Sequence, residues 1–194
     1  MRKVFLAIKK PTLTCHQIYL NSLMNSMVKL KTFYCSLFFL ASILNGQNLE
    51  GEVAPTFFLQ DIEREDYFFS KRDSNKPIYI NFFATWCSPC LKELKEITEW
   101  EAIHKDDIDI LIIDVSSSAR LAKPVTSLSI EELVEKYDID SKVLIDKYAV
   151  VAKKFNISSL PVNIFINKEN IIIKDIRKKI DASSFKKSLD LLKP

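Results

Sequence analysis

The apolar run Ile78-Tyr79-Ile80-Asn81-Phe82-Phe83 leads through Ala84-Thr85-Trp86 into Cys87-Ser88-Pro89-Cys90 and then into a charged segment. This junction constrains the chain more than any other feature. Six β-prone, mostly apolar residues predict a buried strand, and Leu91, Leu94, Ile97 and Trp100 recurring behind the cysteines predict a helix from Ser88 to about Lys105. Two thiols three positions apart at a helix start can close a small disulfide, and the unpaired N–H groups of the first turn favour a thiolate over a thiol. Pro89 fits between them because proline is tolerated in a first helical turn. Lys92/Glu96 and Lys95/Glu99 have the i,i+4 spacing of pairs on the wet face, where they serve solvation.

Charge divides the chain. No acidic residue precedes Glu50, whereas Arg2, Lys3, Lys9, Lys10, Lys29 and Lys31 do, so of the 28 basic residues 22 remain against 25 acidic ones. The overall basic balance belongs to a leader and gives no reason to expect a nucleic-acid partner. Met27-Val28-Lys29-Leu30-Lys31, the apolar run Phe33 to Leu44, and Asn45-Gly46-Gln47 have the three regions of a secretory signal. The apolar run is shorter than the roughly 20 residues of a spanning helix, so cleavage after about Gly46 is expected in preference to a permanent membrane anchor. Thr32-Phe33-Tyr34 before Cys35 does not fit a lipoprotein signal. Residues 1–47 are therefore read as a leader with a signal peptide, its true start at Met24 or Met27, and residues 48–194 as one domain of exported, periplasmic type. Removing the leader removes Cys15 and Cys35, leaving Cys87 and Cys90 as the mature chain's cysteines. Closing so short a loop removes little entropy from the unfolded chain, so the pair suits chemistry better than stapling.

Further along, Thr56–Gln60 and Asp66–Phe69 predict an N-terminal hairpin, and Ile108–Val115 a strand apolar enough to be covered on both faces. Ser116–Ile145 is too long for a simple connection. It holds a capping-box start at Ser129-Ile130-Glu131-Glu132, a helix to about Tyr137 and a short strand Lys142–Ile145. A helix follows over about Tyr148–Phe155, then a hairpin of Val162–Ile166 and Ile171–Ile176, then a helix capped by Asp181 and ending near Leu192. With two glycines in the chain, the turn Asn167-Lys168-Glu169-Asn170 must use asparagine for any positive φ.

From Gly51-Glu52-Val53-Ala54-Pro55-Thr56-Phe57, through Asn81 to Cys90, to Ser158-Ser159-Leu160-Pro161-Val162-Asn163-Ile164-Phe165-Ile166, the chain resembles the TlpA-like branch of the thioredoxin superfamily over about residues 49–194. A Leu-Pro opening an apolar strand about seventy residues after a Cys-x-x-Cys is far more specific than the cysteine pair alone. The resemblance implies an α/β, thioredoxin-like fold: a central mixed β-sheet flanked by helices, an N-terminal β-hairpin and a central helix-plus-strand insertion. It further implies a cis bond before Pro161, with Leu160 and Pro161 lining a groove for an extended substrate segment. Glu93, three residues after Cys90, stands where the resembled branch often carries a functional acid. Asn81 stands where classical thioredoxin buries an aspartate, and it cannot shuttle a proton.

The expected chemistry follows. Cys87, at the exposed start of the helix, is the attacking thiolate, and Cys90, one turn in and more buried, resolves the mixed disulfide. Glu93 is either a proton relay to Cys90 or a surface carboxylate favoured by the helix dipole. Trp86 shields the disulfide and offers substrate a flat apolar contact, or else serves packing. Ser88-Pro89 tunes the potential, and His104 is an ordinary surface residue. Half a zinc site would need two further ligands, and the mature sequence has no second Cys-x-x-Cys and one histidine, so no metal is expected and no cofactor beyond the redox-active Cys87–Cys90 disulfide. The favoured function is an exported thiol-disulfide oxidoreductase, a reductant of protein clients supplied by an upstream, membrane-bound thiol partner, the resembled branch including proteins of cytochrome c maturation. An oxidant or isomerase would use the same residues. A thiol peroxidase would need Thr or Ser, and Pro, where Ala84 and Ile80 stand. A non-enzymatic binding module would not need Cys87, Cys90 and Pro161 intact.

Overall fold

The computed structural model describes residues 48–73, 75–117 and 128–193. The leader, its start and its cleavage point lie outside the described residues, as does the stretch 118–127 of the predicted insertion. Seven strands form one sheet: β1 (Phe58–Asp61), β2 (Asp66–Phe68), β3 (Ile78–Phe83), β4 (Asp109–Asp114), β5 (Lys142–Ile145), β6 (Val162–Ile166) and β7 (Ile172–Ile176), in the order β2-β1-β5-β4-β3-β6-β7. β3, β4 and β5 run parallel, whereas β6, β7 and the β1–β2 hairpin pair antiparallel. The helices are α1 (Ser88–His104), α2 (Ile130–Tyr137), α3 (Val150–Lys154) and α4 (Ala182–Asp190). This is the expected mixed, helix-flanked architecture.

β3 is buried at every position because both its faces are covered. Alternate side chains point to opposite faces. Tyr79 meets Phe165 and Phe185, with ring centroids 4.7 and 5.3 Å apart, and Phe185 stacks on Trp100 of α1 at 4.6 Å, which places α1 and α4 on that face. Phe82, of the other parity, meets Phe155 just beyond α3 at 5.4 Å, and Phe57 packs on the same ring at 6.1 Å.

The strand of the insertion occupies the sheet interior: β5 pairs with β4 on one side and with β1 on the other, so it joins the N-terminal hairpin to the central sheet. The capping box forms with both bonds, Glu132 N–H donating to Ser129 Oγ and Ser129 N–H to Glu132 Oε2. Asn170 takes the positive φ (63°) of the β6–β7 turn, and Asn167 Oδ1 accepts from the Ile171 N–H at 2.8 Å. Several boundaries differ from expectation. α3 is limited to Val150–Lys154, since Ala149 at its N-cap has φ 54° and Tyr148 is exposed. Asp146 caps it from a turn before, accepting from the N–H groups of Val150 (2.8 Å) and Ala152 (2.7 Å).

One outer margin of the sheet is covered by the start of the described chain. Gly51 and Ala54 donate backbone bonds to Ile172 and Asn170, Ile172 N–H returns one to Glu52, and Leu49 N–H reaches Asp175 Oδ2 at 2.9 Å.

Candidate active site

α1 begins where β3 ends, and Cys87 is its N-cap. Cys87 and Cys90 form a disulfide, and the Cys90 N–H donates to Cys87 Sγ at 3.3 Å. A sulfur at an N-cap faces the unpaired amides of the first turn, which favours its thiolate once the disulfide is reduced. Ser88 and Pro89 are exposed. Cys87 is not: its exposure is 6%, against 1% for Cys90. The expected exposed position is corrected by the turn before it, where Cys87 N–H donates to Ala84 O, Thr85 N–H donates to Ser116 Oγ at 2.8 Å, and Trp86 Nε1 lies 3.4 Å from Ser116 O. Ser116 also bonds Asp114, whose carboxyl burial pushes up. Trp86 is half-buried.

Leu160–Pro161 is a cis bond, Pro161 is buried and Leu160 half-buried. Val162 pairs with Phe82 across β6–β3, which sets Pro161 at the end of the sheet from which the chain continues to the cysteines.

Glu93 is not a surface carboxylate. It is fully buried, on the α1 face that also buries Cys90, Leu94, Ile97 and Trp100. Oε1 accepts from Ile180 N–H (2.6 Å) and Asn163 Nδ2 (3.1 Å), and Oε2 accepts from Asn81 Nδ2 (3.1 Å). Burial drives its carboxyl up to about 7, and these donors, with the nearby Lys179 ammonium, keep it from rising further. The lattice continues inward: Asn163 Oδ1 accepts from Asn81 Nδ2 (2.8 Å) and Tyr79 OH (2.5 Å), and Asn163 Nδ2 also donates to Lys178 O (2.9 Å). Burial raises the Tyr79 phenol well above its ordinary value, so it stays a neutral donor.

The expected wet-face pair Lys92/Glu96 gives way to a longer-range one, Lys179 Nζ to Glu96 Oε1 at 2.5 Å. His104 is half-buried, 3.4 Å from Asp107 and against the Phe185 ring. Sequence reading passed over Asn163, Tyr79, Lys179 and Ser116. Asn163 carried a signal, a single amide inside an otherwise apolar strand and opposite Asn81 in register.

A thioredoxin-like fold with a Cys-x-x-Cys disulfide at a helix N-terminus, and a cis-proline at the same end of the sheet, defines a thiol-disulfide oxidoreductase. The chain belongs to the AhpC/TSA family, whose model matches residues 51–175. Among curated relatives it is similar to the thiol-disulfide oxidoreductase ResA of Bacillus thuringiensis subsp. konkukian, 28% identical over 66% of this chain and 69% of that one. The ResA of Bacillus subtilis is 25% identical over 75% and 76%. Among solved structures, a thiol-disulfide oxidoreductase from Bacteroides fragilis superposes with a TM-score of 0.59 at 22% identity, covering 73% of this chain and 99% of that one. StoA from Bacillus subtilis gives 0.56 at 20%, covering 70% and 97%. These two likenesses speak to the fold.

Proposed function

We propose that this chain is an exported reductant of protein disulfides. The Cys87 thiolate attacks a client disulfide, one client thiolate leaves, and a mixed disulfide forms. The Cys90 thiol then gives its proton to Glu93 and attacks Cys87 Sγ. The second client thiolate departs, Cys87–Cys90 is oxidised, and the client has gained two electrons. Trp86, Pro89, Leu160 and Pro161 form the groove that receives the extended client segment. An upstream, membrane-bound thiol partner re-reduces the pair. The leader pattern before Asn48 supports export, and among the described residues no helix is long and apolar enough to cross a membrane.

The observation that carries the exchange chemistry of this reading is Glu93, buried one helical turn behind Cys90 of the Cys87–Cys90 disulfide, with its carboxyl pushed up to about 7. A buried acid poised at the working pH can take a proton from a resolving thiol and return it later. Two measurements test the proposal. A Cys90→Ser variant should accumulate client proteins disulfide-linked to Cys87, and an absence of such adducts refutes client exchange. Equilibration of Cys87/Cys90 against glutathione or dithiothreitol mixtures should give a potential near about −270 mV, as for thioredoxin, whereas a value near about −120 mV identifies an oxidant instead.

A further inference from the structure

The lattice around Glu93 has an order of donation that can be read from one fixed point. The Lys178 carbonyl can only accept, so the Asn163 amide must turn its nitrogen toward it, at 2.9 Å. The same nitrogen then donates to Glu93 Oε1 (3.1 Å), and Asn163 Oδ1 faces two donors, Tyr79 OH and Asn81 Nδ2. That in turn commits the Asn81 nitrogen, which also donates to Glu93 Oε2 (3.1 Å). Every bond to the carboxylate is therefore a donated one. Oε1 receives two, from Asn163 and from Ile180 N–H, and each carboxylate oxygen has about two acceptor positions. Oε1 is full, and Oε2 keeps one position.

We propose that Asn163 is a positioning residue of the active site: with the Ile180 N–H it saturates Glu93 Oε1, so that the exchangeable proton of Glu93 can sit on Oε2 alone and the carboxylate form is held ready to accept it. The proposal rests on the reading of Glu93 as proton acceptor for Cys90. Asn163 lies two residues beyond Pro161, so the groove strand and the relay share one stretch of backbone. The groups facing Glu93 are few. From β3 come Tyr79 and Asn81, from β6 Asn163, from the segment after β7 Lys179 and the Ile180 N–H, and α1 itself buries Cys90 one turn before Glu93 and carries Glu96, paired with Lys179. Lys179 favours the charged carboxylate but makes no bond to it, whereas Asn163 bonds it directly.

The test follows the Glu93 Cδ and Asn163 side-chain amide resonances in the reduced protein as pH is raised from about 5 to about 9. The Asn163 amide should move with the same midpoint as the Glu93 carboxyl. Asn163→Ala should raise that midpoint by about one pH unit, because a charge-assisted bond to the ionised form is lost. In a Cys87→Ser background, the pH profile of Cys90 alkylation should shift by the same amount. With Glu93→Gln also present, Asn163→Ala should add no further shift. An Asn163 resonance that stays flat while Glu93 titrates overturns the proposal in the unmutated protein, whether or not the variant folds. So does a folded Asn163→Ala protein with an unmoved midpoint. An unchanged Cys90 profile in Glu93→Gln alone overturns the relay itself, an outcome read separately from the Asn163 amide.

Discussion

Replacing Glu93 with glutamine should change stability in a way that depends on pH, and the size follows from burial. The Glu93 carboxyl titrates at its ordinary 4.5 in the unfolded chain and at about 7 when folded. Because the folded value is the higher one, the folded state keeps a proton that the unfolded state has lost between those limits. The favourable contribution is complete below pH 4.5 and is lost as pH rises toward 7, at about 1.4 kcal/mol per unit. The interval from 4.5 to about 7 corresponds to about 3 kcal/mol. Glutamine does not titrate. It also brings an amide nitrogen into a cluster of donors, either against Asn81 Nδ2 or against Ile180 N–H and Asn163, a pH-independent loss of about 1–3 kcal/mol. The stability of Glu93→Gln minus that of the parent should therefore start below zero at acid pH and climb by about 3 kcal/mol by pH 8. Urea unfolding of both oxidised proteins across this range measures it, and Asp114 and Asp146, also raised by burial, cancel in the difference. A difference that does not vary with pH would refute the assignment of a buried, near-neutral carboxyl to Glu93.

Other perturbations have simpler signs. Asp146→Ala strips two N–H groups at the start of α3 of their acceptor and should cost about 2 kcal/mol in the same unfolding assay; an unchanged midpoint contradicts the cap. Ala149→Gly relieves a left-handed residue at φ 54° by about 1–2 kcal/mol, partly offset by a freer unfolded chain, and should gain about 0.5 kcal/mol; a loss would show that the Ala149 methyl matters more than its backbone. Phe185→Ala empties the space between Tyr79, Trp100 and Phe165 and should cost about 3–5 kcal/mol, with a smaller loss indicating that α4 can collapse onto the sheet.

The strands were legible where burial on both faces made the residues uniformly apolar, as at Ile78–Phe83 and Val162–Ile166, and α2 was legible from its capping box. The same uniformity hid the role of Asn163 and the partners of Asn81, since a continuous apolar run does not say which group satisfies an amide inside it. Glu93 was harder because a charged residue on a helix is usually wet. The stripe Leu91, Leu94, Ile97, Trp100 advances by threes and drifts around the helix, whereas the buried face is Cys90, Glu93, Leu94, Ile97 and Trp100, with Leu91 only half-buried. Glu93 lies three residues after Cys90 and four before Ile97, so its burial follows once Cys90 is counted in the stripe. Lys179 could not have been paired with Glu96 from spacing, because 83 residues separate them.

The backbone bonds from Gly51 and Ala54 to Ile172 and Asn170 make residues 49–54 a seal on the outer side of β7. An unpaired strand edge is a template for another chain, and natural sheets blunt such edges. At the opposite margin, β2 is three residues long and has Lys71 resting on the Phe68 ring, a short, charged border ill suited to recruiting a neighbour. A truncation beginning at Pro55 would strip the seal and expose a five-residue, half-apolar edge to self-association. Any tether or fusion joined ahead of Asn48 would leave from the β7 flank, so its linker must clear that side of the sheet.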